Sequence, residues 1–216
     1  MENRGIFDGK PVLEFSTGIQ RRSFLKYAGL VGVGATFVVG GGLFTASMAG
    51  AASAAAIEAS DLDILNYALT LEYLESDFYA MGLQAGLLTD RDLELVTPIG
   101  DHEKQHVTAV TGAVTSFGGT PVAKPKITYP AGTFDTRDSF LKNASMFEEL
   151  GVTAYHGQVP LIKDPDVLAS AASIAGVESR HAAVIASLIN GNPFPNPIEK
   201  NASMDDILAA VKPLIS

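Results

Sequence analysis

Cysteine is absent from the 216-residue chain, which excludes disulfides, thiolate metal sites and cysteine nucleophiles together. Charge is scarce as well. Asp, Glu, Lys and Arg make up 18% of residues against 47% apolar ones, a balance that argues against disorder. Positive charge is the scarcer sign: the formal net charge is −9, and beyond residue 54 the chain has 10 Lys and Arg against 21 Asp and Glu. A surface that acidic repels phosphate backbones, so nucleic acid is not an expected partner. Histidine is rarer still, with four in the whole chain.

One long stretch has no charge at all, the run of 31 residues between Lys26 and Glu58. It follows the heptapeptide QRRSFLK (Gln20–Lys26), which contains the pair Arg21 and Arg22. Paired arginines, then Phe-Leu-Lys, then a mildly apolar Gly/Ala-rich segment resemble a twin-arginine export signal. The resemblance implies export across the cytoplasmic membrane to a periplasmic or other extracytoplasmic location. Because that route resembles a pathway for folded cargo, it suits a protein that loads a cofactor before leaving the cytoplasm. Small residues at Ala49–Ala51 and Ala52–Ala54 suit cleavage. Uncut, residues 28–57 are long enough for a membrane anchor, since a span needs about 20 apolar residues. Both fates are compatible with the sequence.

From Ala59 onward the pattern predicts an all-α chain. Asp61 is placed to cap a first helix reaching about Leu88, and Thr89–Asp92 forms a short turn and a new N-terminus. The second helix reaches about Phe117, with a bend expected at Pro98. Gly118–Asp135 is rich in Pro and Gly and reads as a long loop. A third helix covers Thr136–Gln158 and stops at Pro160; Lys163–Asp166 starts a fourth, which ends at Asn190–Pro197. A short amphipathic helix from Ser203 to about Leu214 closes the chain. The expected organisation is a signal or anchor over 1–57, a four-helix bundle over 58–192 and a C-terminal extension over 193–216.

Short turns inside each helix pair make antiparallel hairpins. The loop of about 18 residues can span roughly 60 Å when extended, more than the ~40 Å of a 27-residue helix. It can return along the bundle and place helices two and three parallel, giving an up-down-down-up arrangement with one long crossover.

Two of the four histidines follow a glutamate by three residues, in Glu103–His106 and Glu178–His181. Both pairs lie on core stripes. Val96, Ile99, Glu103, His106, Val110 and Ala113 recur in three- and four-residue steps, as do Ile174, Glu178, His181, Ile185 and Leu188. In the first helix Leu65, Ala68, Glu72 and Tyr79 share a face; in the third, Leu141, Ala144, Glu148, Val152 and Tyr155 do. The sequence also repeats: Glu72 to Tyr79 and Glu148 to Tyr155 are each seven residues apart, and offsets of 76 and 75 relate Glu72 to Glu148 and Glu103 to Glu178. A duplicated two-helix unit accounts for this. Counted from the hairpin turns, all four glutamates fall about 21–26 Å away, in one layer near mid-bundle.

Four buried carboxylates without cations would cost several kcal/mol each or be forced to hold protons. Two divalent ions offset that charge, and carboxylates with one histidine per metal suit iron or manganese, with zinc also accommodated. Each half supplies a helix glutamate and an ExxH pair, the di-iron carboxylate arrangement.

The segments LNYALTLEYLESDFY, HEKQH, FEELGVTAYHGQVPLI and VESRHAAV together resemble the ferritin-like domain family that includes desiccation-related proteins, over roughly residues 60–192. The resemblance implies a ferritin-like bundle with Glu72, Glu103, His106, Glu148, Glu178 and His181 as metal ligands. Glu75 and Glu149 stand as alternative ligands or as supports beside them. Tyr79 and Tyr155 are either hydrogen-bond donors to ligating carboxylates or packing residues. His102 reads as a surface neighbour and His156 as structural; Gly151 and Gly157 suggest close helix approach.

Two readings of function stand. One is an exported protein with a dinuclear iron or manganese centre, acting on iron or on small oxidants such as peroxide and dioxygen, hence an oxidoreductase of ferroxidase, peroxidase or catalase type. The other is a non-catalytic cell-envelope or stress-related scaffold, alone, as an oligomer or as a subunit with an envelope partner, whose metal site is structural or vestigial.

Overall fold

The computed structural model describes residues 59–215; the expectations for the export signal, its arginine pair and the anchor lie outside them. Five α-helices follow in order: α1 (Ala59–Gln84), α2 (Asp90–Ser116), α3 (Arg137–Gln158), α4 (Pro165–Leu188) and α5 (Met204–Val211), with a 3-10 turn at Val159–Leu161. Among the described residues no strand forms beyond a single antiparallel bridge between Ile127 and Ile215.

Local chemistry fixes most of the helix ends. Thr136 and Ser139 form a reciprocal capping box at the start of α3. Asp164 accepts from the amides of Asp166 and Val167, with Pro165 at the first position of α4. Ser203 accepts from the amide of Asp206 to begin α5. The first helix is shorter than its apolar pattern suggests. Gly86 takes φ 67°, a left-handed turn that ends α1 four residues early, so Leu88 is buried from the turn and not from the helix. Pro98 lies on the exposed side within a continuous α2.

Asp61 does a different job from the one expected. It sits inside α1, 1% exposed, and its carboxylate accepts from the amides of Lys163 at 3.1 Å and Asp164 at 2.8 Å. It therefore ties the start of α1 to the turn between α3 and α4.

Two apolar clusters occupy opposite ends of the bundle. One gathers the C-terminal half of α1, the start of α2, the start of α3 and the end of α4, around Phe78, Val96, Phe140 and Ile185. The other gathers the start of α1, the end of α2, the end of α3 and the start of α4, around Leu65, Val114, Tyr155 and Val167. Chain direction through these clusters gives up-down-down-up, with α2 parallel to α3. The crossover returns along α1, held by Val122 N–H to Asn66 Oδ1 at 2.8 Å and by Tyr129 O–H to the Leu74 carbonyl at 2.8 Å. It contributes Tyr129 and Phe134 to an aromatic group in which Phe78 stacks on Phe140 at 5.0 Å between centroids.

The C-terminal segment is bound into this body. Ile207 and Val211 are buried in the first cluster, Thr128 N–H donates to the Leu214 carbonyl at 2.8 Å, and Ala202 N–H donates to the Thr153 carbonyl at 3.1 Å. Gly157 makes the last contact fit: a Cβ there would lie 1.9 Å from the carbonyl oxygen of Ala202. Its partner is thus an irregular segment and not another helix, as the sequence had suggested. Gly157→Ala is expected to cost about 1–3 kcal/mol by overpacking, read as a lower urea midpoint at unchanged slope. An unchanged midpoint would show that the segment is not held against α3.

Candidate metal centre

Between the two apolar clusters lies a layer of polar side chains. Glu72 on α1, Glu103 and His106 on α2, Glu148 on α3, and Glu178 and His181 on α4 all converge there. The four glutamates are fully buried and the histidines nearly so. Their ligand atoms fall into two groups, each within 4.8 Å across: Glu72, Glu103, His106 and Glu178 in one, Glu103, Glu148, Glu178 and His181 in the other. The glutamates of the two ExxH pairs are common to both groups, and each group adds one further glutamate and one histidine.

The two halves brace each other. Tyr79 on α1 donates its hydroxyl proton to Glu148 Oε1 on α3, and Tyr155 on α3 donates to Glu72 Oε1 on α1. Each tyrosine lies two turns beyond its own helix's glutamate, and because α1 and α3 run antiparallel it meets the glutamate of the other repeat. Burial, reinforced by the carboxylate partner, pushes both tyrosine pKa values well up, so both hydroxyls stay neutral donors.

What the tyrosines leave over is informative. Glu72 Oε2, Glu103 Oε1, Glu148 Oε2, both oxygens of Glu178 and His181 Nδ1 are buried without a hydrogen-bond partner. His181 Nδ1 approaches Glu103 Oε1 at 2.9 Å and Glu148 Oε2 at 3.5 Å, yet at angles that make no hydrogen bond. His106 Nδ1 stands 3.1 Å from Glu178 Oε1, 3.2 Å from Glu103 Oε2 and 3.4 Å from Glu72 Oε2. Buried polar atoms are ordinarily paired; here lone pairs from four helices face one another across a small interior. A donor set of carboxylate oxygens and imidazole nitrogens with its charge uncompensated fits divalent cations.

Protonation follows from the same crowding. Burial, then the surrounding carboxylates, drives Glu75 and Glu178 well above the ordinary carboxylate range; Glu72 and Glu148 are raised chiefly by burial. Glu103 goes the other way: burial opposes its ionisation, but His106 and His181 beside it outweigh that and hold it at about 2. Burial likewise works against the charged imidazoles, yet the glutamates prevail, raising His106 strongly and His181 to about 10.

Two neighbours depart from the sequence expectation. Glu75 and Glu149 looked equivalent, but Glu149 is exposed whereas Glu75 is 2% exposed with both oxygens unpartnered. Gly151 makes room for it: a Cβ there would meet Glu75 Oε1 at 2.9 Å and Glu178 Oε2 at 3.0 Å. That glycine therefore clears space for carboxylates, and not for a second helix. His102, although exposed, is more than a surface neighbour, because its Nδ1 lies 2.9 Å from His181 Nε2 with the rings stacked. The repeat places Val177 at the corresponding position of α4, so among the described residues His106 has no such support and the two groups differ. His156 is bonded to the Val152 carbonyl at 2.8 Å, a local helix contact.

The ferritin-like domain family matches residues 60–191. None of the curated proteins matches the chain. Among solved structures, a hypothetical protein from Methanococcus jannaschii is similar at 13% identity with a TM-score of 0.49, over 70% of this chain and 91% of that one.

The raised groups set a sign for stability. Glutamates and histidines whose folded pKa exceeds the unfolded value stabilise fully below the unfolded value and lose that contribution as pH rises through the folded one. For His181 that window runs from about 6.5 to about 10. The depressed Glu103 contributes above its unfolded value and is lost only as pH falls towards about 2. Metal-free protein should therefore melt at lower temperature at pH 9 than at pH 6, and a flat or rising profile in thermal melts would contradict this assignment.

Proposed function

Since the chain belongs to the ferritin-like domain family, we propose that it is an exported protein that holds two iron or manganese ions in the central layer and uses them on small oxidants. The observation that carries this reading is the set of buried, unpartnered lone pairs from four helices. Two divalent cations against four carboxylates make a neutral set in which both histidines can give up their protons. Zinc would satisfy the same donors without redox chemistry.

Bound iron or manganese would supply electron exchange with peroxide or dioxygen. The residues do the rest. Glu103 and Glu178 would contribute to both positions, Glu72 with His106 would complete one, and Glu148 with His181 the other. Tyr155 and Tyr79 fix the rotation of Glu72 and Glu148. If His181 held a metal through Nδ1, its proton would sit on Nε2 and be donated to His102 Nδ1, which would lock that tautomer. The apolar clusters at either end keep bulk water from the layer.

Export rests on the QRRSFLK motif and the uncharged run after it; a relation to desiccation-related proteins would fit an extracytoplasmic stress role. Lysines in place of Arg21 and Arg22 should retain the chain in the cytoplasm on fractionation, and undiminished export would remove this part of the proposal.

Titration of metal-free protein with manganese(II) or iron(II) should saturate at two ions per chain. Glu103→Gln should weaken both sites because both share Glu103, whereas Glu72→Gln should weaken one. His102→Phe should weaken one site about 10–100-fold, as loss of a ligand's outer partner does elsewhere. Equal effects of all three variants, or no uptake, would contradict the assignment. Metal-replete protein that is inert towards oxidants would favour the scaffold reading.

A further inference from the structure

In the end of the bundle where α1 begins, a cavity of about 30 Å³ lies among all four long helices. Each helix puts an alanine in its wall, Ala68, Ala113, Ala154 and Ala171, where larger side chains would close the space. Protein interiors are close-packed, so a void that all four helices leave open calls for a reason. The cavity adjoins the carboxylate layer. Ala68, Val110 and Ile174 line it, and each lies about one turn along its helix from Glu72, His106 and Glu178 respectively. Tyr155, whose hydroxyl donates to Glu72, belongs to the same wall.

The lining gives an occupant nothing to hydrogen-bond. Tyr155 directs its hydroxyl at Glu72, and Ser170 donates to the Asp166 carbonyl at 2.9 Å. Tyr67 Oη and Gln158 Nε2 are covered by neighbouring atoms, so these two residues turn carbon to the cavity. The remaining wall residues are Ile, Leu, Val and Ala. Ala109 on α2 and Ala171 on α4 are the partly exposed ones, so the way in lies between those helices.

Chemistry and size narrow the guest. Cavities with such walls stay dry and take apolar molecules. Peroxide would leave two O–H donors unpaired there, and superoxide would lose its hydration without a compensating charge. One water needs about 10–15 Å³, so the volume suits two bonded oxygen atoms and excludes chain-like or aromatic molecules.

We propose that this cavity binds one molecule of dioxygen, so that the oxidant reaching the metal layer from this end is dioxygen and not peroxide. The inference deepens the proposed function by naming its oxidant, and rests on it for its purpose. Binding breaks no bond and moves no electron.

Metal-free crystals of the full chain, cooled under a pressure of krypton or of dioxygen, read the cavity directly. Krypton is an apolar atom of similar girth that scatters strongly. The expected result is a krypton peak among Ala68, Ala113 and Ile174, and density for two bonded oxygens at the same place under dioxygen. Ala113→Leu fills the space and should abolish both; Ala109→Leu, at the partly exposed entrance, serves if the buried substitution prevents folding. In iron- or manganese-loaded protein, Ala109→Leu should raise the half-saturating concentration of dioxygen about ten-fold relative to that of peroxide. A cavity that stays empty or holds water under either gas, or equal shifts for the two oxidants, would overturn the proposal. If no metal is taken up, the proposed function fails separately, and the gas-pressurised crystals still decide this site.

Discussion

Five carboxyl groups and two imidazoles buried between two apolar clusters cannot all keep their solution charges. Everything else in the bundle answers that constraint. Without compensation each ionised carboxylate would cost several kcal/mol, against a total stability of about 5–15 kcal/mol for a typical domain. Positive charge has to enter the layer, as protons on glutamates and histidines or as cations. Protons held by glutamates and histidines supply donors to some of the neighbouring lone pairs. Cations satisfy the same lone pairs and free the histidines to ligate.

The architecture is arranged around this layer. A duplicated hairpin supplies matching donors twice, and the long crossover sets the two copies antiparallel so that each tyrosine reaches the other copy's glutamate. Asp61 and the bidentate Arg137–Asp92 pair bind the ends of the bundle together, the latter at 2.5 and 3.1 Å. Gly151 leaves the gap in which Glu75 and Glu178 lie close together. The symmetry is incomplete. His102 supports His181 alone, and Glu75 adds a carboxyl where the second repeat has Gly151, so the two metal positions are predicted to be chemically distinct.

Much of this was legible in one dimension. Helical periodicity, the two ExxH spacings and the constant offset between repeats depend only on counting along the chain, and they led to the bundle and to the six converging residues. What escaped depends on which helix lies beside which. Glu75, three residues after Glu72, shares its helix face, whereas Glu149, one residue after Glu148, points off it; the periodicity held this difference, but what makes room for Glu75 is Gly151 on the neighbouring helix. His102 lies one residue from Glu103, off the core stripe, and reaches His181 because α2 and α4 are adjacent. Gly157 and Asp61 contact segments about 45 and 102 residues away, partners that no local pattern announces.

The most direct test of the central claim is an anomalous difference map from crystals of the chain grown with manganese, recorded near the manganese absorption edge. The account predicts two peaks in the central layer, each surrounded by one of the two four-residue groups, with Glu103 and Glu178 touching both. No peak in the layer, or manganese bound only at surface acidic residues, would contradict it.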